Sequence, residues 1–209
     1  SRIFKNRGEK ILKLHKKKNT HMLVDTHDGI WFYNFWNNLN IKNLKIINVY
    51  RNPIDIANSW INLNLGNIEK SILCQIPILK KNNKEKIFYY FNNFNKKYNK
   101  YEIAVKMVIE CYLREIKSYN TIKNKKKIYR VNFDDFAENT SKILSEICKF
   151  LNLNKTNFTH KVMTRERLPR KININDRIMK ENKIKKLIKK EIFEELKKVE
   201  NLHLNNDIR

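Results

Sequence analysis

The chain has 209 residues, with 45 Lys and Arg against 21 Asp and Glu, so its formal net charge is +24 at pH 7. This length suffices for one α/β domain with a core, and the charge predicts an anionic partner: nucleic acid, an acidic glycan, a membrane surface or a phosphorylated cofactor. The bias toward Lys, Asn and Ile is also typical of AT-rich coding DNA, so part of the charge needs no functional explanation. The sequence contains no run of about eighteen apolar residues, which a transmembrane helix would need, and no recognisable signal peptide.

The three cysteines, Cys74, Cys111 and Cys148, are far apart and lack CxxC spacing. We expect reduced core residues and a reducing, cytoplasmic compartment; the Golgi lumen is the alternative if a membrane anchor lies upstream of Ser1.

The N-terminal part predicts a basic helix over residues 2–18 and a buried strand at Met22–Val24. His27 follows that strand. It either caps a turn or lies where ligands bind, outside the carboxyl end of a strand in an α/β sheet. Residues 31–39 then carry an apolar helix face, with core packing favoured over ligand stacking.

The β-branched run Ile46–Tyr50 predicts a strand, followed by Arg51. Asn52 suits a helix N-cap and Pro53 the first helical position. One face of the following helix is polar and carries Asn52, Asp55 and Ser59. A strand that runs into a helix N-terminus beside an Arg is typical of a phosphate site, in which first-turn N–H groups favour the anion. The alternative is an Arg that is only a surface residue.

The rest of the chain alternates predicted helices with one further strand. Residues 67–81 suit a helix interrupted at Pro77, residues 84–97 an amphipathic helix or lid, and residues 100–120 a buried central helix. Residues 127–133 predict a strand, residues 143–151 a helix, residues 152–158 a polar loop, residues 163–175 a basic loop, and residues 176–200 the last helix. Strands alternating with helices predict a parallel sheet with helical layers.

Two stretches together resemble sulfotransferases that use PAPS (3′-phosphoadenosine 5′-phosphosulfate). Lys45–Trp60 is similar to the family's 3′-phosphate-binding strand and helix, with Arg-Asn-Pro followed by an Asp and a Ser. Ile128–Asn139 resembles the later Leu-x-Val-x-Tyr-Glu-Asp-Leu segment, and Ile143–Leu153 the Ile-x-x-Phe-Leu-Gly-Leu helix. The resemblance implies one sulfotransferase domain over residues 1–209, with a three-layer P-loop NTPase-like fold whose short parallel sheet is flanked by helices.

The resemblance also implies roles for individual residues. Arg51 and Ser59 would bind the 3′-phosphate, and Phe133 would stack near the adenine in place of the family's Tyr. His27 would be the general base that takes a proton from the acceptor hydroxyl. Arg170 and Lys171 partly match a second phosphate-binding loop. No metal is implied, and the acceptor would be a small molecule or a glycan.

Two departures from the family pattern limit what the resemblance implies. Asp25 stands where the family has the Lys of its Lys-Thr-His segment. The Pro-Lys-Ser/Thr-Gly turn that holds the 5′-phosphosulfate does not occur in the sequence, so we expect a domain without its first strand and that loop, inactive by itself. The alternatives are a catalytically inactive, sulfotransferase-like nucleotide-binding protein, a basic nucleic-acid-binding domain, which no recognised motif supports, and a nucleotide kinase, against which the missing Walker A sequence argues.

Overall fold

A computed structural model describes residues 30, 33–38, 41, 43–67, 75–79, 85–89 and 98–205. The predicted helix at 2–18, the predicted strand at Met22–Val24, and Cys74 lie outside these residues. The described elements, in chain order, are α1 (Tyr33–Asn38), β1 (Ile46–Tyr50), α2 (Pro53–Asn62), β2 (Gln75–Leu79), β3 (Glu85–Tyr89), α3 (Lys100–Thr121), β4 (Ile128–Asn132), α4 (Phe133–Glu138), α5 (Thr140–Leu151), α6 (Asn157–Arg165), α7 (Ile174–Leu187) and α8 (Lys190–Leu204).

Strands β1 and β4 form a parallel pair, which confirms the predicted α/β class with a short parallel sheet flanked by helices. The register joins Ile46 to Ile128 at one end and Tyr50 to Asn132 at the other. Parallel strands need a long crossover, and here the connection includes α2 and α3. The two carboxyl ends therefore lie side by side at one edge of the sheet.

The helices expected over residues 67–81 and 84–97 are wrong at residues 75–79 and 85–89, which form the antiparallel strands β2 and β3. Their register runs from Gln75 opposite Tyr89 to Leu79 opposite Glu85. Apolar residues in these segments fit a period of two as well as a helical period, so spacing alone could not separate the two structures. Pro77 is tolerated because each strand of a two-stranded sheet is an edge strand.

The strand predicted over residues 127–133 ends one residue early, at Asn132. The Asn132 side chain accepts a hydrogen bond from the Asp134 N–H at 2.9 Å, so it caps α4, and Phe133 is the first helical residue. Asn competes for backbone donors in this way wherever a helix can begin. Phe133 thereby lies at the joint between strand and helix.

The C-terminal third contains more helix breaks than predicted. Part of the segment predicted as loop forms α6, and the helix predicted over residues 176–200 is two helices separated at Ile188 and Lys189. Ile188 is extended, with φ −130° and ψ 162°. The Glu102 carboxylate accepts a hydrogen bond from the Lys189 N–H at 3.2 Å, and this tertiary contact stabilises the break. The apolar period continues across the break, so the sequence pattern did not reveal it.

The main core lies between α2, α3, α7 and α8, and the buried central helix predicted over residues 100–120 is confirmed as α3. The side chains of Ile54, Val105, Ile184 and Leu196 are fully buried in one cluster. Burial of aliphatic side chains of this size contributes about 1.5–3 kcal/mol each to folding. This cluster fixes α2, which follows β1, against the two C-terminal helices.

Gly66 lies where the chain after α2 passes the start of α3. A Cβ at Gly66 would lie 1.7 Å from the Lys100 carbonyl oxygen, so only glycine allows the chain after α2 to pass the start of α3. Cys148 is a free thiol, as expected, and both Cys111 and Cys148 are half-buried rather than in the core.

Candidate functional site

Arg51 and Phe133 meet at the carboxyl edge of the parallel sheet. Each residue directly follows its strand, and the strands are paired at Tyr50 and Asn132. The Arg51 guanidinium carbon lies 4.8 Å from the centroid of the Phe133 ring, within the range of a cation–π contact. The order of the strands thus brings together two residues that are far apart in the sequence.

Arg170 approaches the same ring from the loop between α6 and α7. Its guanidinium carbon lies 6.0 Å from the Phe133 centroid. The Arg170 N–H donates to the Ala137 carbonyl at 2.8 Å, and the Ile172 N–H donates to the Glu138 carboxylate at 3.0 Å. These two bonds fix the loop on α4 and hold a second guanidinium beside the first.

The cluster formed by Arg51, Phe133 and Arg170 contains an unused donor. The Arg51 Nε is buried and has no hydrogen-bond partner within the described part of the chain. Buried donors are nearly always paired, so this one marks a place for an acceptor. Of the other predicted ligands, Ser59 is half-buried farther along α2 and Lys171 is exposed, and neither belongs to this cluster. His27 lies outside the described residues.

The N-terminus of α2 is already satisfied by its own cap. The Asn52 side chain accepts from the Ile54 N–H at 2.9 Å, and the Asn52 carbonyl accepts from the N–H groups of Asp55 and Ile56 at 3.1 and 3.2 Å. Pro53 has no N–H. The expected role of first-turn N–H groups in anion binding is therefore not supported.

Arg177 joins the helix that follows β1 to the helix that follows β4. Its Nε and Nη2 donate to the Asp55 carboxylate at 3.1 and 2.7 Å, and its Nη2 also donates to the Asp134 carboxylate at 2.7 Å. Lys180 donates to the other oxygen of Asp55 at 2.8 Å. Sequence reasoning missed this network: Arg177 and Lys180 lie three residues apart on a helix, but nothing in the sequence indicates their partners.

These ion pairs change the acidity of their members. Burial by itself would raise the pKa of the Asp55 carboxyl, but hydrogen bonds from Lys180 and Arg177 outweigh it and hold that pKa below its usual value. Burial would likewise lower the pKa of Arg177, and the carboxylates of Asp55 and Asp134 raise it instead. Both groups are therefore ionised at neutral pH.

A second layer of aromatic and charged groups lies beneath the sheet edge. The Arg130 guanidinium carbon lies 4.5 Å from the ring centroids of both Tyr50 and Tyr119, and its Nη2 pairs with Glu115 at 3.1 Å. The buried His203 ring lies 5.5 Å from the Tyr50 ring in an edge-on arrangement. This layer supports Tyr50, the residue directly before Arg51.

His203 is buried and held neutral. Its Nδ1 is hydrogen-bonded to the Tyr112 hydroxyl. Burial lowers the pKa of the imidazole, although the nearby Asp134 carboxylate partly opposes that shift. No pattern in the sequence pointed to His203, because a lone His near the end of a helix has no distinctive spacing.

Comparison with known proteins assigns the fold that carries these residues. A family model described as "Sulfotransferase domain" matches residues 4–206. The chain belongs to the sulfotransferase domain family. This confirms the predicted family. Arg51 and Phe133 belong to the two sequence segments on which that prediction was based.

The comparison with solved structures found a distant match. The structure titled "Sulfotransferase Domain from the Curacin Biosynthetic Pathway" is similar to this chain with a TM-score of 0.43 and 12% sequence identity, over 63% of this chain and 38% of that one. No curated protein matches. Among the described residues of this sulfotransferase-domain chain, no helix is long and apolar enough to cross a membrane.

Proposed function

We propose that this chain is a single sulfotransferase domain that binds the nucleotide of PAPS and belongs to an enzyme that transfers the sulfuryl group to a hydroxyl or amine. Arg51, with Ser59, would bind the 3′-phosphate, and Arg170 and Lys171 would add positive charge from the neighbouring loop. Phe133 would pack near the adenine. The acceptor would be a small molecule or a glycan.

The observation that carries this proposal is the cluster of Arg51, Phe133 and Arg170. Two guanidinium groups lie beside one phenyl ring. A phosphorylated nucleoside needs this arrangement, because its phosphate requires positive charge and its base requires an aromatic surface close by. Within the described residues, the Nε of Arg51 has no hydrogen-bond partner, which leaves a donor for an oxygen of the ligand. A phosphate oxygen at that donor would make a short, charge-assisted hydrogen bond.

The chemical step would be an in-line displacement at sulfur. The acceptor oxygen forms the new bond to sulfur, the bond between sulfur and the 5′-phosphate oxygen breaks, and adenosine 3′,5′-bisphosphate leaves. His27 would take the proton of the acceptor hydroxyl, which requires it within hydrogen-bond reach of that oxygen. No metal is needed for this step as proposed.

A second candidate, a sulfotransferase-like protein that binds the nucleotide without catalysis, is favoured by Asp25. In the sequence, Asp25 stands where the family's Lys-Thr-His segment has its Lys, whose charge would help to neutralise the transferring sulfuryl group. Incubation with PAPS labelled on sulfur distinguishes the two functions. Nucleotide binding with label transferred to an acceptor supports the enzyme, and binding without transfer supports the second candidate.

Calorimetry with adenosine 3′,5′-bisphosphate tests the site itself. We expect the wild-type protein to bind this nucleotide at least about tenfold more tightly than adenosine 5′-phosphate, because one charged pair is worth that much or more. Arg51→Ala should abolish the preference. Unchanged affinity in Arg51→Ala would refute the assignment.

The matched control is Arg165→Ala. Arg165 is exposed, pairs with the adjacent Glu166 at 2.8 Å, and lies just before the loop that carries Arg170. This variant removes the same side chain and the same charge, so general electrostatic attraction predicts equal losses in both variants. A site formed by Arg51 predicts a loss in Arg51→Ala alone.

A further inference from the structure

We infer that Arg177 is a positioning residue for nucleotide binding: it fixes the distance between the two turns that carry Arg51 and Phe133. This inference rests on the proposed function, since it gives Arg177 a role toward the same ligand. Arg177 itself would not touch the nucleotide. Its partners lie in the first turns of two helices, one that begins just after Arg51 and one that begins at Phe133.

The geometry links the two turns through one guanidinium group. Asp55 lies in the first turn of α2, shortly after Arg51, and Asp134 directly follows Phe133 at the start of α4. A single Nη2 of Arg177 lies 2.7 Å from both carboxylates. Because the guanidinium is planar and rigid, it sets the separation of the two carboxylates and therefore of the two turns.

The surroundings make this link stiff. The Asp55 side chain is 6% exposed, the Arg177 side chain 17% and the Asp134 side chain 20%, so the pairs are shielded from solvent. α7 is in turn fixed to the core through the fully buried Ile184. An anchored cation between two helix starts resists their relative movement.

The binding consequence follows from the contact between Arg51 and Phe133. A phosphate bound by Arg51 and an adenine packed at Phe133 belong to one rigid ligand, so both contacts form together only if the two turns are correctly spaced. Misplacement of a binding group by about 1 Å is enough to cost large factors in rate or affinity. Loss of the link should therefore weaken the bisphosphate more than a nucleotide that lacks the 3′-phosphate.

Lys180 provides a matched control within the same helix. It also donates to Asp55, at 2.8 Å, but its other ion pair is with Asp176 of the same helix and not with Asp134. Each variant removes one cation beside Asp55: Arg177→Met removes two hydrogen bonds to that carboxylate, and Lys180→Met removes one. Only Arg177→Met separates the two turns.

The experiment measures affinities for adenosine 3′,5′-bisphosphate and adenosine 5′-phosphate in the full chain, by calorimetry, for both variants. We expect Arg177→Met to weaken the bisphosphate by about tenfold or more while changing adenosine 5′-phosphate by less than about threefold, and Lys180→Met to leave the ratio of the two affinities unchanged. Arg177→Lys should recover only part of the loss, since an ammonium group lacks the planar fork. A merely structural role would lower both affinities in parallel.

Hydrogen exchange of the backbone amides of residues 54–56 and 133–136, measured without nucleotide, provides a readout independent of binding. The inference requires that Arg177→Met speeds exchange at the start of both α2 and α4. Lys180→Met should speed exchange at the start of α2 alone or at neither helix start. If the wild type prefers the bisphosphate and the two methionine variants keep that preference equally, the positioning role is overturned and the proposed function stands. If the wild type shows no preference for the bisphosphate, the proposed function fails, and the role of Arg177 in nucleotide binding fails with it. The exchange data then decide only whether Arg177 couples the two turns.

Discussion

The ion pairs of Asp55 allow a quantitative prediction for Asp55→Asn. This substitution keeps the shape of the side chain but removes the charge that faces two cations. The Asp55 carboxylate accepts three hydrogen bonds, at 3.1 and 2.7 Å from Arg177 and at 2.8 Å from Lys180. Removal of one partner from a buried ion pair costs about 3–5 kcal/mol of unfolding free energy.

The lower end of that range applies, because both cations keep another carboxylate. Arg177 retains Asp134, and Lys180 retains Asp176. We therefore expect Asp55→Asn to lose about 3 kcal/mol, and a Tm about 6–12 °C lower, at roughly 2–4 °C per kcal/mol for a chain of this size. Urea unfolding at neutral pH measures the free energy, and a thermal scan measures Tm.

The dependence on pH provides an internal check. The pKa of Asp55 is lower in the folded state than its ordinary value of 3.8, so its contribution to stability is present above that value and is lost as the pH falls through the folded pKa. The difference between wild type and Asp55→Asn should be constant near neutral pH and shrink below pH 3.8.

Asp176→Asn is the control, since it also removes a carboxylate that contacts Lys180. The Asp176 side chain is 45% exposed, and solvent-exposed ion pairs contribute about 0–1 kcal/mol. If Asp55→Asn loses no more unfolding free energy than Asp176→Asn, the buried network contributes no more than surface charge, and the reasoning is refuted.

Three further predictions test the core, a close backbone approach and a buried imidazole. Leu196→Ala should lower the unfolding free energy in urea by about 2–5 kcal/mol, because the side chain is fully buried between α2, α3 and α7; a loss below about 1 kcal/mol would contradict that packing. Gly66→Ala should prevent stable folding, since the new Cβ would lie 1.7 Å from the Lys100 carbonyl oxygen. The variant should therefore show no cooperative thermal transition. A transition like that of the wild type would show that the backbone separates easily there. His203 has a lowered pKa in the folded state, so the unfolded chain takes up the proton first, and stability should be full above about pH 6.5 and fall as the pH decreases below it. His203→Gln should flatten this slope in urea titrations between pH 7 and 5, and an unchanged slope would contradict the reasoning.

Local chemistry in the sequence was sufficient to predict the part of the site formed by β1 and the start of α2. The strand at Ile46–Tyr50, the cap at Asn52 and the helix start at Pro53 are all confirmed, because each depends on neighbouring residues. The same local reasoning misassigned the first-turn N–H groups. The sequence shows that Asn52 can cap the helix, but it does not show that the cap consumes the donors that an anion would need.

The errors in secondary structure have one cause. The predicted helices at 67–81 and 84–97 and the unbroken helix at 176–200 were based on apolar spacing. Apolar spacing does not show whether a segment pairs with another strand, as β2 pairs with β3. It also does not show where a side chain from another helix stabilises a break, as the Glu102 carboxylate does at Lys189. Tertiary contacts overrode local periodicity in each case.

The sequence by itself determined which residues are available at the sheet edge: an Arg after one strand, an aromatic ring after another, and a basic loop later in the chain. Only the tertiary structure decided that Arg51, Phe133 and Arg170 converge, because the parallel register of β1 with β4 and the loop's bonds to α4 set their distances. Only the tertiary structure showed Arg177 between Asp55 and Asp134. An ion pair across the fold depends on helix packing, and no spacing along the chain encodes it.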